Sequence, residues 1–440
     1  MLAKDTIETV NLDKNIIKVS DYIIIQRQNY KKLHQLKKRD CVRLGKRFMF
    51  IELDNIISEE YNSIFKLESK GKNNYYLTKV ENATNIQLPD ARECGDDNRD
   101  ILDDGKSQKL STKEISELQE QAVGAQNIIG KIVSNSSTFA AKTEFSQEKY
   151  VKKKEKKYYE YVQILKPSIV HLMEIYYRLS PIKVLGLRID DLSQILYYSN
   201  VHCNGNYLIY ESGTSGVPVA AMLERIGNYT SGKLIHVHPG NEPQSQAIRA
   251  MQFSEDLMTK RYVNVNIYSV LRHYYQNFKF STNKRKMDET DNGETPSKKI
   301  KTDEENVQNL DQIEPLKPNG GGVDKDKKWI QDNEQGCQIL DEKVDALVII
   351  AKEHPAPILD AFIDFVNLSR PIVVFSDCIQ ILTDVYMHLK KSKKVTYLRL
   401  SNTFMRNIQV LPGRSHPDVN RNFGGYMLFG YTVNDNKSDL

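Results

Sequence analysis

The sequence predicts an α/β chain in two parts: a small, β-rich, barrel-like N-terminal domain and, after a helical connection, a doubly wound parallel sheet. Three observations carry this. Short β-rich runs recur over residues 16–87, within a domain that spans 1–87, between polar turns, the spacing of a small sheet or barrel. From about residue 190 apolar strands alternate with amphipathic helices; strands buried on both faces of a parallel sheet read as continuous apolar runs. Two acidic, apolar-poor stretches, 88–106 and 281–345, interrupt the pattern.

In chain order, the N-terminal runs are DYIIIQR, CVRLGKRFMFIEL and NYYLTKV. Between the first two, KKLHQLKKRD joins Arg43, Lys46 and Arg47 in a basic stretch that fits a solvated hairpin face or an RNA-facing one. Residues 88–110 read as an acidic linker. Residues 111–189 read as a helical, basic connecting region. Ser111 and Glu114 form an S-x-x-E capping box before Ile115, Leu118 and Ala122, and the helical character is expected to run on until Pro167 breaks it.

Residues 190–435 then give strand NYLIYES, helix VPVAAMLERI closed by Gly227, strand KLIHVH, a helix around 243–251 and a strand in VNVNIYSV. After the interruption come strand DALVIIA, a helix around 356–367, strand PIVVFS, helix CIQILTDVYMHLKKSK, strand VTYLRLS and a final strand GGYMLFGYTV. Residues 281–345 read as a disordered insertion between two strands of this domain. Inside it, Lys284-Arg285-Lys286 and Lys298-Lys299-Ile300-Lys301 have the spacing of a bipartite nuclear import signal, and equally suit a solvated linker.

The charge distribution is sharper than its sum. The chain of 440 residues carries 62 Lys+Arg against 57 Asp+Glu, a net +5. Residues 281–345 hold 16 acids and 11 bases, and residues 88–106 hold 7 acids and 3 bases, so +14 falls on the rest. A strongly basic folded part points to a polyanionic partner. Mean hydropathy of −0.54 and no long apolar run leave no candidate membrane span, and the N-terminal residues lack the apolar core of a signal peptide. Five scattered cysteines without C-x-x-C pairs argue against a disulfide framework or zinc site, and for a reducing compartment.

Strand, glycine turn and helix form the phosphate- or cofactor-binding corner of α/β folds. Here the first corner reads Glu211-Ser212-Gly213-Thr214-Ser215-Gly216-Val217. An AdoMet-dependent methyltransferase commonly shows an acid and alternate glycines, E-x-G-x-G-x-G. Ser215 and Val217 replace two of those glycines, and their Cβ atoms would crowd the cofactor. Gly216, one position out of register, restores one glycine and not the pattern.

The second corner ends in His238-Pro239-Gly240, where such a sheet usually places an acid for the ribose hydroxyls. The third reads Lys352-Glu353-His354-Pro355; Glu353 is a carboxylate, but nothing in the sequence aims it at a substrate. Three altered corners favour a retained fold without cofactor chemistry, and no catalytic residue is assigned. His236 and His238 alternate on one strand, but without a local acid or cysteine they read as packing residues rather than metal ligands. No G-x-S-x-G, Walker A or H-E-x-x-H pattern is present.

The positive signal is for nucleic acid. KYVKKKEKKYYEYV interleaves Lys149, Lys152, Lys153, Lys154, Lys156 and Lys157 with tyrosines including Tyr150. Lysines neutralise phosphates and tyrosines stack on exposed bases; the same run also suits a solvated helix whose tyrosines face a core. Near the C-terminal end Arg399, Arg406, Arg414 and His416 surround a Pro-Gly turn at 412–413, which suits a backbone-facing loop, a subunit contact or a plain hairpin connection.

The segments NSSTFAAKTEFSQEKYVKKKEKKYYEY, LSQILYYSNV, PIVVF and RNIQVLPGRSHP together resemble the non-catalytic subunit of the eukaryotic tRNA (adenine-58) N1-methyltransferase, over about residues 16–280 and 340–435. The resemblance implies a β-barrel domain followed by a Rossmann-like methyltransferase fold with a degenerate AdoMet pocket around Glu211, Gly213 and Gly216. It implies no cofactor in this chain, and a paralogous catalytic partner that holds AdoMet. Two copies of each chain would form a heterotetramer around tRNA in the nucleus. By position, Lys149, Lys152, Lys153, Lys154, Lys156 and Lys157 would grip tRNA, with Tyr150, Arg188, Lys352, Arg406, Arg414, His416 and Lys113 as further candidates. Two readings compete with it: an active AdoMet-dependent RNA methyltransferase with an atypical pocket, motivated by Glu211 and Gly213, and an RNA-binding scaffold in translation.

Overall fold

A computed structural model describes residues 15–44, 49–71, 74–81, 94–97, 107–111, 113–115, 118, 125–158, 161–278, 325–406, 408–410, 415–417 and 424–434. The chain separates into two compact units, residues 1–189 with 245–253, and residues 190–244 with 254–440.

The first unit is built on seven strands: β1 (Tyr22–Arg27), β2 (Tyr30–Gln35), β3 (Cys41–Leu44), β4 (Met49–Glu52), β5 (Ile64–Gly71), β6 (Asn74–Val80) and, after helices α1 (Ala125–Ser134) and α2 (Glu144–Tyr158), β7 (Tyr161–Leu165). They hydrogen-bond in the order β2-β1-β7-β5-β6-β4-β3. The two ends of that order approach each other, since Lys32 Nζ on β2 donates to the Arg43 carbonyl on β3 at 3.0 Å. The sheet therefore curls towards a barrel, and alternate residues fill it: Ile23, Ile25, Val42, Leu44, Phe65, Leu67, Val162 and Ile164 share one core. Lys31 of the basic hairpin pairs with Glu174 at 2.5 Å on α3 (Ile169–Leu179).

Here the structure corrects the sequence reading. Residues 161–165 are not the end of a long helix; they form a strand in the middle of the sheet, with Ile24 opposite Leu165 and Ile64 opposite Gln163. The helix stops at Tyr158, and Val162 and Ile164 then alternate into the barrel core. The Ser111 capping box is formed as expected: Ser111 N donates to Glu114 Oε2 at 2.7 Å, and Glu114 N to Ser111 Oγ at 3.2 Å.

The second unit opens with α4 (Ile189–Tyr198), then β8 (Asn206–Glu211), α5 (Val217–Ile226) and β9 (Lys233–His238). Helix α6 (Gln246–Met251) belongs to the first unit. There follow α7 (Glu255–Lys260), β10 (Tyr262–Asn266), α8 (Ile267–Gln276), α9 (Lys325–Asp341), β11 (Ala346–Ile350), α10 (Pro355–Phe362), β12 (Pro371–Ser376), α11 (Ile379–Ser392), β13 (Val395–Asn402), β14 (Ile408–Gln409), β15 (His416–Pro417) and β16 (Tyr426–Thr432). The sheet order is β10-β9-β8-β11-β12-β16-β13; β10, β9, β8, β11 and β12 are parallel, and β16 runs antiparallel to both neighbours. This is the Rossmann-like methyltransferase order, with the direction of winding reversing between β8 and β11. Ligand crevices of open α/β sheets lie at the carboxyl ends of strands at such a reversal.

Two element assignments differ from expectation. Ile267 to Val270 begin α8 instead of extending the strand, because Asn266 caps the helix by accepting from Tyr268 N at 2.9 Å. Residues 325–341, placed by the sequence reading inside a disordered insertion, form α9. Its few apolar residues fall on one side: Cys337, Ile339 and Leu340 are buried in the sheet core, and Gly336 lies so close to β10 that a Cβ would clash with Val265. The rest of that insertion, with both basic clusters at 284–286 and 298–301, lies outside the described residues.

A closed cofactor corner and a lysine-bearing helix

The corner between β8 and α5 is held by one buried carboxylate. Glu211, 1% exposed, accepts through Oε1 from Thr214 N at 2.8 Å, from the Thr214 hydroxyl, and from Gly216 N at 3.4 Å. Its Oε2 faces His236 Nε2 on β9 at 3.5 Å, with both side chains fully buried. The acid that the local sequence of His236 lacked thus comes from the neighbouring strand. Burial pushes the Glu211 carboxyl up, but His236 and the bonds from Thr214 outweigh it and hold the group below its usual range. His236 Nδ1 and the Tyr262 hydroxyl on β10 are 2.9 Å apart, which extends the buried polar chain to the sheet edge. Among the described residues no group of His, Cys, Asp or Glu is large enough to hold a metal.

The turn itself is occupied by the chain's own side chains. The Gln244 carboxamide oxygen accepts from Gly213 N at 3.1 Å and Ser215 N at 2.8 Å, the amides a bound cofactor would need to approach. Gly213 has φ +89°, and a Cβ there would meet Lys352 Cε at 2.5 Å, so the lysine stem lies directly against the turn. Ser212 Oγ accepts from Lys352 N at 3.0 Å and donates to Glu353, which fastens the turn after β11 onto the one after β8. Ser215 adopts φ +57°, a left-handed conformation that a non-glycine residue enters at a cost. The second corner ends in His238, 4% exposed, whose imidazole burial and the neighbouring His236 push down to about 4. It is therefore neutral at physiological pH and supplies no carboxylate for a ribose. These residues do not fit AdoMet: its amide donors are taken, its space is filled by Gln244 and Lys352, and its ribose acceptor is missing.

The lysine run sits on α2. Lys149, Lys152 and Lys153 are exposed, Lys152 lying 3.6 Å from Glu148 one turn earlier. Val151 and Gln147 face inward, Val151 packing with Ile128, Ile129, Ile132 and Phe139 in a small core with α1. Tyr150 is half-buried; its ring meets Phe139 edge-on with centroids 5.6 Å apart, and Lys142 and Lys154 lie 5.1 and 5.0 Å from its centre. That tyrosine supports the lysines more than it offers a free face. Lys156 and Lys157 continue the same helix.

The remaining candidates are scattered. Lys113 is exposed beside the capping box. Arg188 is 4% exposed and belongs to the interior rather than to a surface that could meet RNA. Arg406 is exposed, its guanidinium 5.3 Å from the Phe404 ring. His416 lies on β15, which pairs antiparallel with β14; the Pro-Gly pair at 412–413 and Arg414 lie outside the described residues. Gln244, the residue that does most to close the corner, has no motif: it stands in the polar stretch NEPQSQ.

Fold and site together define a class: a Rossmann-like methyltransferase fold, joined to a β-barrel-like unit, whose cofactor corner is closed from within. Comparison with known proteins makes this specific. Residues 16–311 match the Gcd10p family. The chain is 33% identical to the tRNA (adenine(58)-N(1))-methyltransferase non-catalytic subunit of Mus musculus, covering 96% of this chain and 89% of the mouse protein. It is 29% identical to the protein of the same name from Dictyostelium discoideum, over 96% of this chain and 81% of that one. A SAM-dependent O-methyltransferase from Thermotoga maritima aligns in structure with a TM-score of 0.45 at 12% identity, over 96% of each chain. The chain belongs to the Gcd10p family, the non-catalytic subunits of tRNA (adenine-58) N1-methyltransferase.

Proposed function

We propose that this chain binds tRNA within a complex that methylates N1 of adenine 58, while a paralogous partner subunit holds AdoMet and performs the transfer. The observation that carries the reading is the contrast between a cofactor corner filled by Gln244 and Lys352 and a helix that holds Lys149, Lys152 and Lys153 in solvent. The chemistry gives such a subunit work to do. A base in a folded loop must be unstacked before its N1 is reached, at a cost of a few kcal/mol. A basic surface that recognises tRNA by shape and backbone offsets that cost.

Lys152, Lys153 and Lys154, with Lys149, Lys156 and Lys157, are the principal phosphate ligands in this reading, and Arg406, His416 and Lys113 are secondary ones. The complex holds two copies of each chain, and the basic clusters at 284–286 and 298–301 direct it to the nucleus. No helix among the described residues is long and apolar enough to cross a membrane.

The test is a pull-down of this chain followed by methylation assays with and without the co-purifying protein. Activity only in the presence of a methyltransferase-like partner is expected. Methylation by the purified chain alone, lost in Glu211→Ala, would replace this reading with that of an active enzyme; tRNA binding with no such partner would favour a scaffold. Micromolar AdoMet affinity of the isolated chain in calorimetry would refute the closed corner.

A further inference from the structure

Helix α8 presents two different sides. Ile267, Val270 and Tyr274 face the sheet core and α9, where the Tyr274 hydroxyl donates to the Cys337 carbonyl at 3.0 Å and to Asp341 at 2.8 Å. Tyr268, Arg272 and Tyr275, at i, i+4 and i+7, fall within about 60° of arc at 100° per residue, on a separate side of the helix. Tyr268 is 63% exposed and Tyr275 73%, and Arg272 between them is also exposed. Neither hydroxyl has a hydrogen-bond partner among the described residues, and Arg272 has no salt bridge among them. The helix sequence IYSVLRHYYQ contains no acid. Tyr274 is tied into the fold, whereas Tyr275 and Tyr268, whose phenol lies near the buried Tyr210, leave most of their rings in solvent.

We propose that Tyr268, Arg272 and Tyr275 form a second RNA contact in this subunit, in which the rings stack on unpaired bases and the guanidinium meets the intervening backbone. The inference rests on the tRNA-binding reading above. Aromatic rings two turns apart on a rigid helix accept bases of any identity, because every base offers a π-face. An arginine between them is planar, permanently charged and matched to phosphate. A stripe of two exposed tyrosines and one permanent cation, on a helix without an acid, offers stacking faces and a positive charge, which complement a polyanion with unpaired bases.

The experiment uses the complex of this chain with its catalytic partner and measures tRNA affinity at several salt concentrations. Tyr268→Ala with Tyr275→Ala is expected to weaken binding by about five-fold for each stacked ring, whereas Tyr268→Phe with Tyr275→Phe keeps it. Arg272→Ala should lower the salt slope by about 0.7. The Lys152/Lys153/Lys154→Ala variant is the reference. If it weakens binding and the tyrosine variants leave it unchanged, this inference fails alone; if neither weakens it, the tRNA-binding reading fails first. Loss of the catalytic partner from the tyrosine variants, with unchanged affinity in what still assembles, would make the stripe a protein interface and overturn the proposal.

Discussion

The corner after β8 and the helix α2 treat their polar groups in opposite ways. At the corner the backbone amides of the turn have partners from the chain: Gly213 N and Ser215 N to Gln244, Thr214 N and Gly216 N to Glu211, Lys352 N to Ser212. On α2 Lys149 and Lys153 are exposed, while Val151, Gln147 and the half-buried Tyr150 face inward. Where a cofactor-binding turn would offer its amides to a ligand, side chains of this chain satisfy them. Readiness for a polyanion has the reverse signature, cations whose partners are distant or weak.

The largest test of this contrast is Glu211→Ala. It removes the acceptor of three donors and leaves His236 buried without its acid, so unfolding in urea should show a loss of about 3–5 kcal/mol. A loss below about 1 kcal/mol would mean that the corner is not an integrated network. Acid comes next. His238 titrates near 6.5 when unfolded and at about 4 when folded, so the unfolded state binds the extra proton and stability falls as pH drops through that window. The slope is at most about 1.4 kcal/mol per pH unit, and His238→Asn should flatten it. The lowered Glu211 carboxyl adds a further loss as pH falls below the ordinary carboxylate range, through its folded value.

Gln244→Ala orphans two amides and should lower stability by about 1–3 kcal/mol, with faster hydrogen exchange at Gly213 and Ser215. Unchanged protection of both would break the account of the closed turn. At the other region, changing Lys152, Lys153 and Lys154 together to Ala should weaken tRNA binding about ten-fold and reduce the salt slope by about 0.7–0.9 for each phosphate no longer neutralised, with the thermal midpoint unmoved. An unaltered slope would return α2 to the status of a solvated helix.

Much of this was legible in the sequence because burial leaves a mark there. ALVII and PIVVFS are buried at every position, so their apolar runs could only be inner strands of a parallel sheet. The departures at Ser215, Val217 and His238 were visible because a glycine or acid was expected at a fixed offset. Gln244 was not, since closing a turn with a carboxamide from another loop requires no spacing. Strand β7 was hidden behind a lysine and tyrosine run of helical character, with only Val162 and Ile164 alternating after it. Helix α9 was hidden by its charge: a few well-placed apolar residues and one glycine against Val265 suffice to dock it. Arg188 was offered as a surface cation because sequence does not show which arginine a fold will enclose.

The position of β7 has a consequence for how the protein comes to exist. It lies between β1 and β5, so the barrel-like sheet lacks a central member until residues 161–165 have been made, and the pairing of Ile24 with Leu165 spans about 140 residues. At ribosomal speeds of about 5–20 residues per second, β1 to β6 wait roughly 4–16 seconds for it after β6 is complete. During that interval β1 and β5 present unpaired edges to other nascent chains. A fragment ending at residue 87 should aggregate, and no fragment that stops short of Leu165 should fold; co-translational chaperone capture would be concentrated in the same window.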